Sequence, residues 1–289
     1  MPESRAARDT TRPSSMVSMN DKDFRRFSEF IHAECGIKLP PSKKTMVEAR
    51  LQKRLRQLGM PTFREYNDFL FSPAGLSEEL GQLIDAITTN TTEFFREPRH
   101  FDILRETVLP GWLKAHAHDR KLRLWSAGCS SGEEPYTLAM VLSEFAEDHP
   151  GFRFTILATD ISIQVLEKAR RAIYPEDRVT QMSFELKRKY LLRSKDRQRK
   201  LVRIVAGLRD AVTFSRLNFM TEFRFNEPMD IIFCRNVMIY FDRATQETLL
   251  GKFCRQLRQD GHLFIGHSES LTGMDLPLRQ VAPTVYRRV

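Results

Sequence analysis

From about residue 101 onward the chain alternates strand-length apolar runs with stretches of helical periodicity, and this alternation narrows its fold most. Leu122-Arg123-Leu124-Trp125-Ser126-Ala127 reads as a strand entering a glycine-containing turn, Gly128-Cys129-Ser130-Ser131-Gly132, with a helix over 133–145 behind it. Phe154-Thr155-Ile156-Leu157-Ala158-Thr159-Asp160 is a second strand, followed by a helix marked by Val165, Leu166 and Ala169. Residues 229–234 predict a third strand, 245–257 a helix, 261–266 a fourth strand and 284–289 an edge strand. Strands separated by helices imply an α/β domain, a mostly parallel sheet with helices on both faces. Residues 171–212 break the rhythm. Their Lys/Arg-rich stretch 187–200 and the run Leu201-Val202-Arg203-Ile204-Val205 predict an insertion with a small β-structure of its own.

The preceding region, 20–89, is helical throughout. Phe24, Phe27 and Ile31 recur at helix spacing before Gly36, and Val47, Leu51, Leu55 and Leu58 form a second stripe that stops at Gly59. Thr62-Phe63-Arg64-Glu65 has the form of a capping box, and Leu80, Leu83, Ile84 and Ile87 give a further helix. Residues 1–19 are polar and contain Arg5, Arg8 and Arg12 with no apolar core, so a flexible lead-in is expected rather than a secretory signal. No apolar run approaches the roughly 20 residues that cross a bilayer. Four cysteines without metal-ligand spacing (Cys35, Cys129, Cys234, Cys254) predict reduced thiols in a cytoplasmic protein, with no structural metal. The net charge of +9 points to an acidic partner, which charge alone does not identify.

In open α/β sheets ligands sit at the carboxyl ends of the strands, and three such ends are chemically loaded. The turn Gly128–Gly132 lets backbone approach a ligand, but no Gly-Lys-Ser/Thr follows, and Glu133 and Glu134 would repel a phosphate. A ligand carrying ammonium or sulfonium charge suits it better. Asp160, ending the second strand, is placed either to accept from ribose hydroxyls or to cap the next helix, with Ser162 as the rival cap. The third end, Cys234-Arg235-Asn236, delivers a polar pair from an apolar strand.

Four separated segments carry a resemblance. Thr88-Thr89-Asn90-Thr91-Thr92-Glu93-Phe94-Phe95-Arg96-Glu97, Ser130-Ser131-Gly132-Glu133-Glu134-Pro135-Tyr136, Phe233-Cys234-Arg235-Asn236-Val237-Met238-Ile239-Tyr240-Phe241 and Gly266-His267-Ser268-Glu269 occur in the order found in the CheR family. Those are chemotaxis receptor protein-glutamate O-methyltransferases, and the resemblance spans residues 20–289. It implies a Rossmann-like S-adenosylmethionine-dependent methyltransferase domain (90–289) behind the helical domain (20–89), with a small β-subdomain inserted at about 171–212.

The resemblance also implies roles. Asn90, Thr92 and Arg96 would line the cofactor pocket; Glu134, with Glu133 as the alternative, would hold the methionine or ribose portion. Asp160 would bind the ribose, Asn218 and Phe219 would flank the adenine, and Arg235 and Asn236 would close the pocket. Arg96 is the expected orienter of the substrate carboxylate, unless it merely pairs with Glu93 or Glu97, and Tyr240 would face the transferred methyl group. His267 is expected to be a turn residue rather than part of the site. A glutamate carboxylate is already ionised at neutral pH, with a reference pKa of about 4.3, so no general base is needed. Accordingly the sequence holds no nucleophile–His–acid constellation.

The expected partner is the acidic methylation helices of a receptor, met by helix 43–58, where Lys43, Lys44, Arg50, Lys53, Arg54 and Arg56 face only Glu48. Some family members tether a receptor C-terminal pentapeptide through a glycine-containing hairpin. Residues 194–200 contain no glycine, which argues against that tether here. Nucleic acid is not expected as substrate, because neither an Asn/Asp-Pro-Pro-Tyr/Phe motif nor a Pro-Cys nucleophile occurs. A binding module without turnover is disfavoured by the full set of site residues. The enzyme is read as a monomer.

Overall fold

Local signals set the helix boundaries of the N-terminal half in the computed structural model, which describes residues 18–116 and 120–289. Helix α1 (Asp21–Cys35) starts at Asn20, whose side chain accepts from the Asp23 amide, and stops at Gly36 in the left-handed region. Helix α2 (Lys44–Leu58) ends likewise at Gly59, and Thr62 caps α3 (Phe63–Leu70). Helices α4 (Pro73–Glu78) and α5 (Leu80–Ile87) complete the domain. Their apolar stripes close on one core that includes Phe27, Ile31, Val47, Leu51, Leu55, Tyr66 and Leu83. Of the expected lead-in, residues 1–17 lie outside the described residues. Met19 belongs to the core, and its amide donates to Glu48 at 2.8 Å.

Helices α6 (Arg99–Ile103) and α7 (Leu109–His116) lead into the α/β domain. Its strands are β1 (Leu122–Ala127), β2 (Phe154–Asp160), β3 (Ile173–Pro175), β4 (Leu191–Arg193), β5 (Leu201–Ile204), β6 (Val212–Arg216), β7 (Met229–Cys234), β8 (Leu257–Ile265), β9 (Leu278–Ala282) and β10 (Val285–Arg288). Between them run α8 (Glu133–Asp148), α9 (Ile163–Arg171), α10 (Phe184–Tyr190), α11 (Ala206–Asp210) and α12 (Arg243–Gln256). The main sheet has the order β6-β2-β1-β7-β8-β10-β9. The first five strands run parallel, and β10 and β9 close the end antiparallel. Alternate residues of β1 and β7 enter separate clusters, Leu124, Ile231 and Phe233 on one face, Trp125, Ile232 and Cys234 on the other. Helices therefore cover both faces of the sheet.

Two strand assignments differ from the sequence reading. Val212–Arg216, to which the sequence reading gave no strand, is a parallel edge strand on β2. Residues 284–289 do not form the edge: β10 lies between β8 and β9, and β9 is outermost. The insertion contains an antiparallel three-stranded sheet of order β3-β5-β4. No helix among the described residues is long and apolar enough to cross a membrane, and all four cysteines are buried and unpaired.

The helical domain is bonded to the α/β domain. The Lys38 amide donates to the Tyr240 carbonyl (2.9 Å), Asn218 Nδ2 to the Glu34 carbonyl (2.7 Å), and His32 Nε2 lies 2.7 Å from Asp242 Oδ2. Not all of the α2 cations face outward. Arg54 makes a two-pronged contact with buried Glu79 (2.8 and 2.6 Å), which also accepts from the Tyr66 hydroxyl at 3.1 Å. Arg50 donates to the Ile87 and Thr88 carbonyls and to Thr89 Oγ1, and Lys44 pairs with Asp21. These three of the six predicted docking cations serve the fold. Removing one partner from a buried pair is costly because the other charge stays buried. Arg54→Ala is expected to lower the unfolding free energy by about 3 kcal/mol, against less than about 0.5 kcal/mol for exposed Lys53→Ala. Urea melts of the two variants check this.

Candidate active site

The strand order reverses between β1 and β7, and a cleft opens at their carboxyl ends under the helical domain. The residues singled out from the sequence converge there: Asn90, Thr92, Arg96, Glu134, Asp160, Asn218, Phe219, Arg235, Asn236 and Tyr240 all line it. The helical domain adds Cys35, Lys38 and Leu39, which sequence reasoning did not place, because nothing local indicates which loop will cover a distant strand end.

The β1 end is shaped by close approach. Gly128 has φ +83°, and a Cβ there would lie 2.4 Å from Val237 Cγ2. Behind the turn the two glutamates diverge. Glu134 lines the cleft, accepting from Ser126 Oγ and Arg235 Nε, each at 2.7 Å. Glu133 turns toward the insertion, pairing with Arg178 at 2.7 Å and accepting from Ser131 Oγ. At the β2 end, Asp160 accepts from the amides of Ser130 (2.8 Å) and Ser162 (3.0 Å). Burial raises the Asp160 pKa, and those amides oppose the rise. Ser162, not Asp160, caps α9. A carboxylate offers about four lone-pair positions, so Asp160 keeps acceptor capacity toward the cleft.

The β7 end is the most constrained. Arg235 is buried; its Nε bonds Glu134, and its Nη1 donates to the Arg96 carbonyl at 2.7 Å and to His100 Nδ1 at 3.2 Å. Arginine has no acceptor, so His100 Nδ1 is the lone pair and Nε2–H donates to Thr284 Oγ1 (2.7 Å). Burial first, then the Arg235 charge, pushes the His100 pKa down to about 4, keeping the ring neutral. Glu97, His100 and His267 group three possible metal-ligand atoms. The Arg235 guanidinium also lies 3.6 Å from Glu97, beside this group. His267 is half exposed, outside the cleft lining, with its amide on Glu97 at 3.3 Å.

Two bracing residues were not identified from the sequence. Glu269 is buried and accepts from four backbone amides, Gly266 (2.6 Å), Met238 (2.7 Å), Val237 (2.9 Å) and Asn236 (3.1 Å). It holds the turn that carries Arg235, Asn236 (φ +58°) and Tyr240. The Lys252 ammonium donates to the carbonyls of Phe219, Met220 and Thr221 at 3.0–3.1 Å, fixing the turn beside Asn218. Glu269 stood in one of the recognised segments and Lys252 on an amphipathic helix, but neither signal names its long-range partners. Asn218 itself bridges the domains, donating to Glu34 and accepting from the Met220 amide. Arg96 pairs with neither Glu93 nor Glu97. Its guanidinium donates to the Thr91 carbonyl at 3.1 Å and forms no ion pair among the described residues.

Leaving four amides without their acceptor costs more than losing an exposed contact. Glu269→Ala is expected to lower stability by about 2 kcal/mol or more and to weaken S-adenosylhomocysteine binding at least about tenfold, with Glu269→Gln intermediate. Thermal melts and calorimetric titration read the two effects.

Residues 90–287 match the family description "CheR methyltransferase, SAM binding domain", and residues 22–88 match "CheR methyltransferase, all-alpha domain". The "Chemotaxis protein methyltransferase" of Borreliella burgdorferi is 42% identical over 276 residues, covering 94% of this chain and 96% of that one. The Escherichia coli protein of the same name is 39% identical over 273 residues, covering 93% and 92%. "Chemotaxis protein methyltransferase 2" of Pseudomonas aeruginosa is 39% identical over 268 residues, covering 92% of each chain. With both family domains matched in order and identity near 40% over almost the whole length, this chain belongs to the CheR methyltransferase family.

Proposed function

We propose that the chain transfers a methyl group from S-adenosylmethionine to the side-chain carboxylate of glutamates on the cytoplasmic helices of a chemotaxis receptor. The products are a glutamate methyl ester and S-adenosylhomocysteine. The observation that carries this reading is Arg96, which lines the cleft and whose guanidinium has no carboxylate partner among the described residues. A cation left unpaired beside a ligand cleft is placed to receive an external carboxylate.

The other cleft groups fit the cofactor. Buried Asp160 retains acceptor capacity for a vicinal diol, and Glu134, already held by Ser126 and Arg235, supplies negative charge for an ammonium or sulfonium. Phe219 offers a flat apolar wall, braced edge-on against Trp125 and Phe253. S-adenosylmethionine, when bound, supplies a methyl group made electrophilic by the sulfonium charge. The protein's task is then alignment, because the attacking carboxylate is ionised at neutral pH and no side chain has to take a proton. Arg96 holds the carboxylate. Tyr240, whose carbonyl is bonded to Lys38 of the helical domain, also lines the cleft and is assigned to positioning the reacting groups. The helical domain covers the cleft and keeps water away.

Methyl transfer from labelled S-adenosylmethionine to a receptor cytoplasmic fragment, scored as methanol released by mild base, tests the reading. Base-labile label is expected, absent when the receptor glutamates are changed to alanine. Arg96→Ala is expected to lower kcat/KM about 100-fold or more while the variant melts like the parent. Label that is stable to base, or an Arg96→Ala variant as active as the parent, contradicts it.

A further inference from the structure

Residues 171–212 carry twelve basic and five acidic side chains, so seven of the chain's nine excess positive charges lie in the insertion. Some of these cations are held within the fold, such as Arg178 by Glu133 and Lys189 by Glu144 and Glu147, but Arg188, Lys195, Arg197, Lys200 and Arg203 are exposed and form no ion pair among the described residues. Three of the five, Lys195, Arg197 and Lys200, stand on the hairpin between β4 and β5, where Asp196 is occupied by the Gln198 amide and Arg199. Arg203 has a defined setting. Strand register puts it opposite both Ile173 and Leu192, and all three are exposed, Ile173 at 46% and Leu192 at 54%. The outward face of the small sheet is thus a cation between two aliphatic side chains, with a basic hairpin beside it.

From this we infer that the outward face of the inserted sheet, with its hairpin, is a second docking surface for the acidic helical bundle that supplies the substrate glutamates. It acts in addition to the cleft mouth and does not depend on the receptor's C-terminus. A surface mixing unpaired cations with isolated aliphatics is complementary to a helix bundle whose exposed face mixes carboxylates with apolar residues. Charges of this kind act mainly on encounter and on KM, and they are screened by salt. The inference rests on the proposed receptor substrate, and the following experiment separates the two.

Methyl transfer to a receptor cytoplasmic fragment truncated before its last residues is measured for the parent and for the double variant Lys195→Glu/Arg197→Glu. At low ionic strength KM for the fragment is expected to rise about fivefold or more, with kcat and S-adenosylhomocysteine affinity unchanged. The increase should shrink as salt is added, and Lys195→Gln/Arg197→Gln should fall between. An unchanged KM at low salt overturns the inference and leaves the methyltransferase reading intact. So does an increase seen only with the untruncated receptor, which would mean a C-terminal tether. If the parent binds vesicles containing phosphatidylserine, the double variant does not, and KM for the fragment is unchanged, the surface serves a lipid instead and the inference is wrong. Absence of transfer by the parent itself would remove the substrate on which it rests.

Discussion

The buried contact between Arg235 and Glu134 is the constraint on which the rest of the site depends. Burying two charges is costly unless the geometry satisfies both partners. Here Glu134 has a second donor in Ser126, and Arg235 reaches the Arg96 carbonyl and a neutral His100 while lying over the rings of Phe101 and Phe233. One guanidinium therefore ties together the end of β7, the start of α8 and the segment carrying Arg96. The Glu269 carboxylate, gathering four amides, does the same for the turn behind Arg235. Catalysis by alignment requires that rigidity, because little is gained from a group placed an ångström too far away.

Covering such a site is the task of the helical domain. Its loop after α1 meets the β7 turn through Lys38 and Tyr240, and α1 itself meets Asn218 and Asp242. Gly36 is part of this fit, since a Cβ there would come within 2.7 Å of the Met220 sulfur. The two domains are thus joined where the cleft lies, and residues from both sides line it.

Much of this was legible in the sequence, for identifiable reasons. The parallel core strands are continuous apolar runs buried on both faces, so β1, β2 and β7 stand out, and glycine stops and Thr62 mark helix ends by local chemistry. Strand ends loaded with Glu134, Asp160, Arg235 and Asn236 pointed to one cleft because the α/β topology brings such ends together. The edge strands β6 and β9 went unassigned because exposed edges mix polar with apolar residues and lose the core pattern. The α2 arginines looked like a solvated face because helical spacing does not reveal that Glu79 or the Thr88 carbonyl will be waiting in a neighbouring helix or loop. Glu269 and Lys252 act on backbone groups far along the chain, and no local pattern announces that.

The most direct test of the account is calorimetric titration of S-adenosylhomocysteine into the protein and its Asp160→Asn variant. One-to-one binding is expected for the parent, weakened about 10- to 100-fold in the variant through loss of charge-assisted hydrogen bonds, with both proteins folded by thermal melt. Equal affinity in the two would place the cofactor outside the cleft at the ends of β1 and β7 and contradict the account.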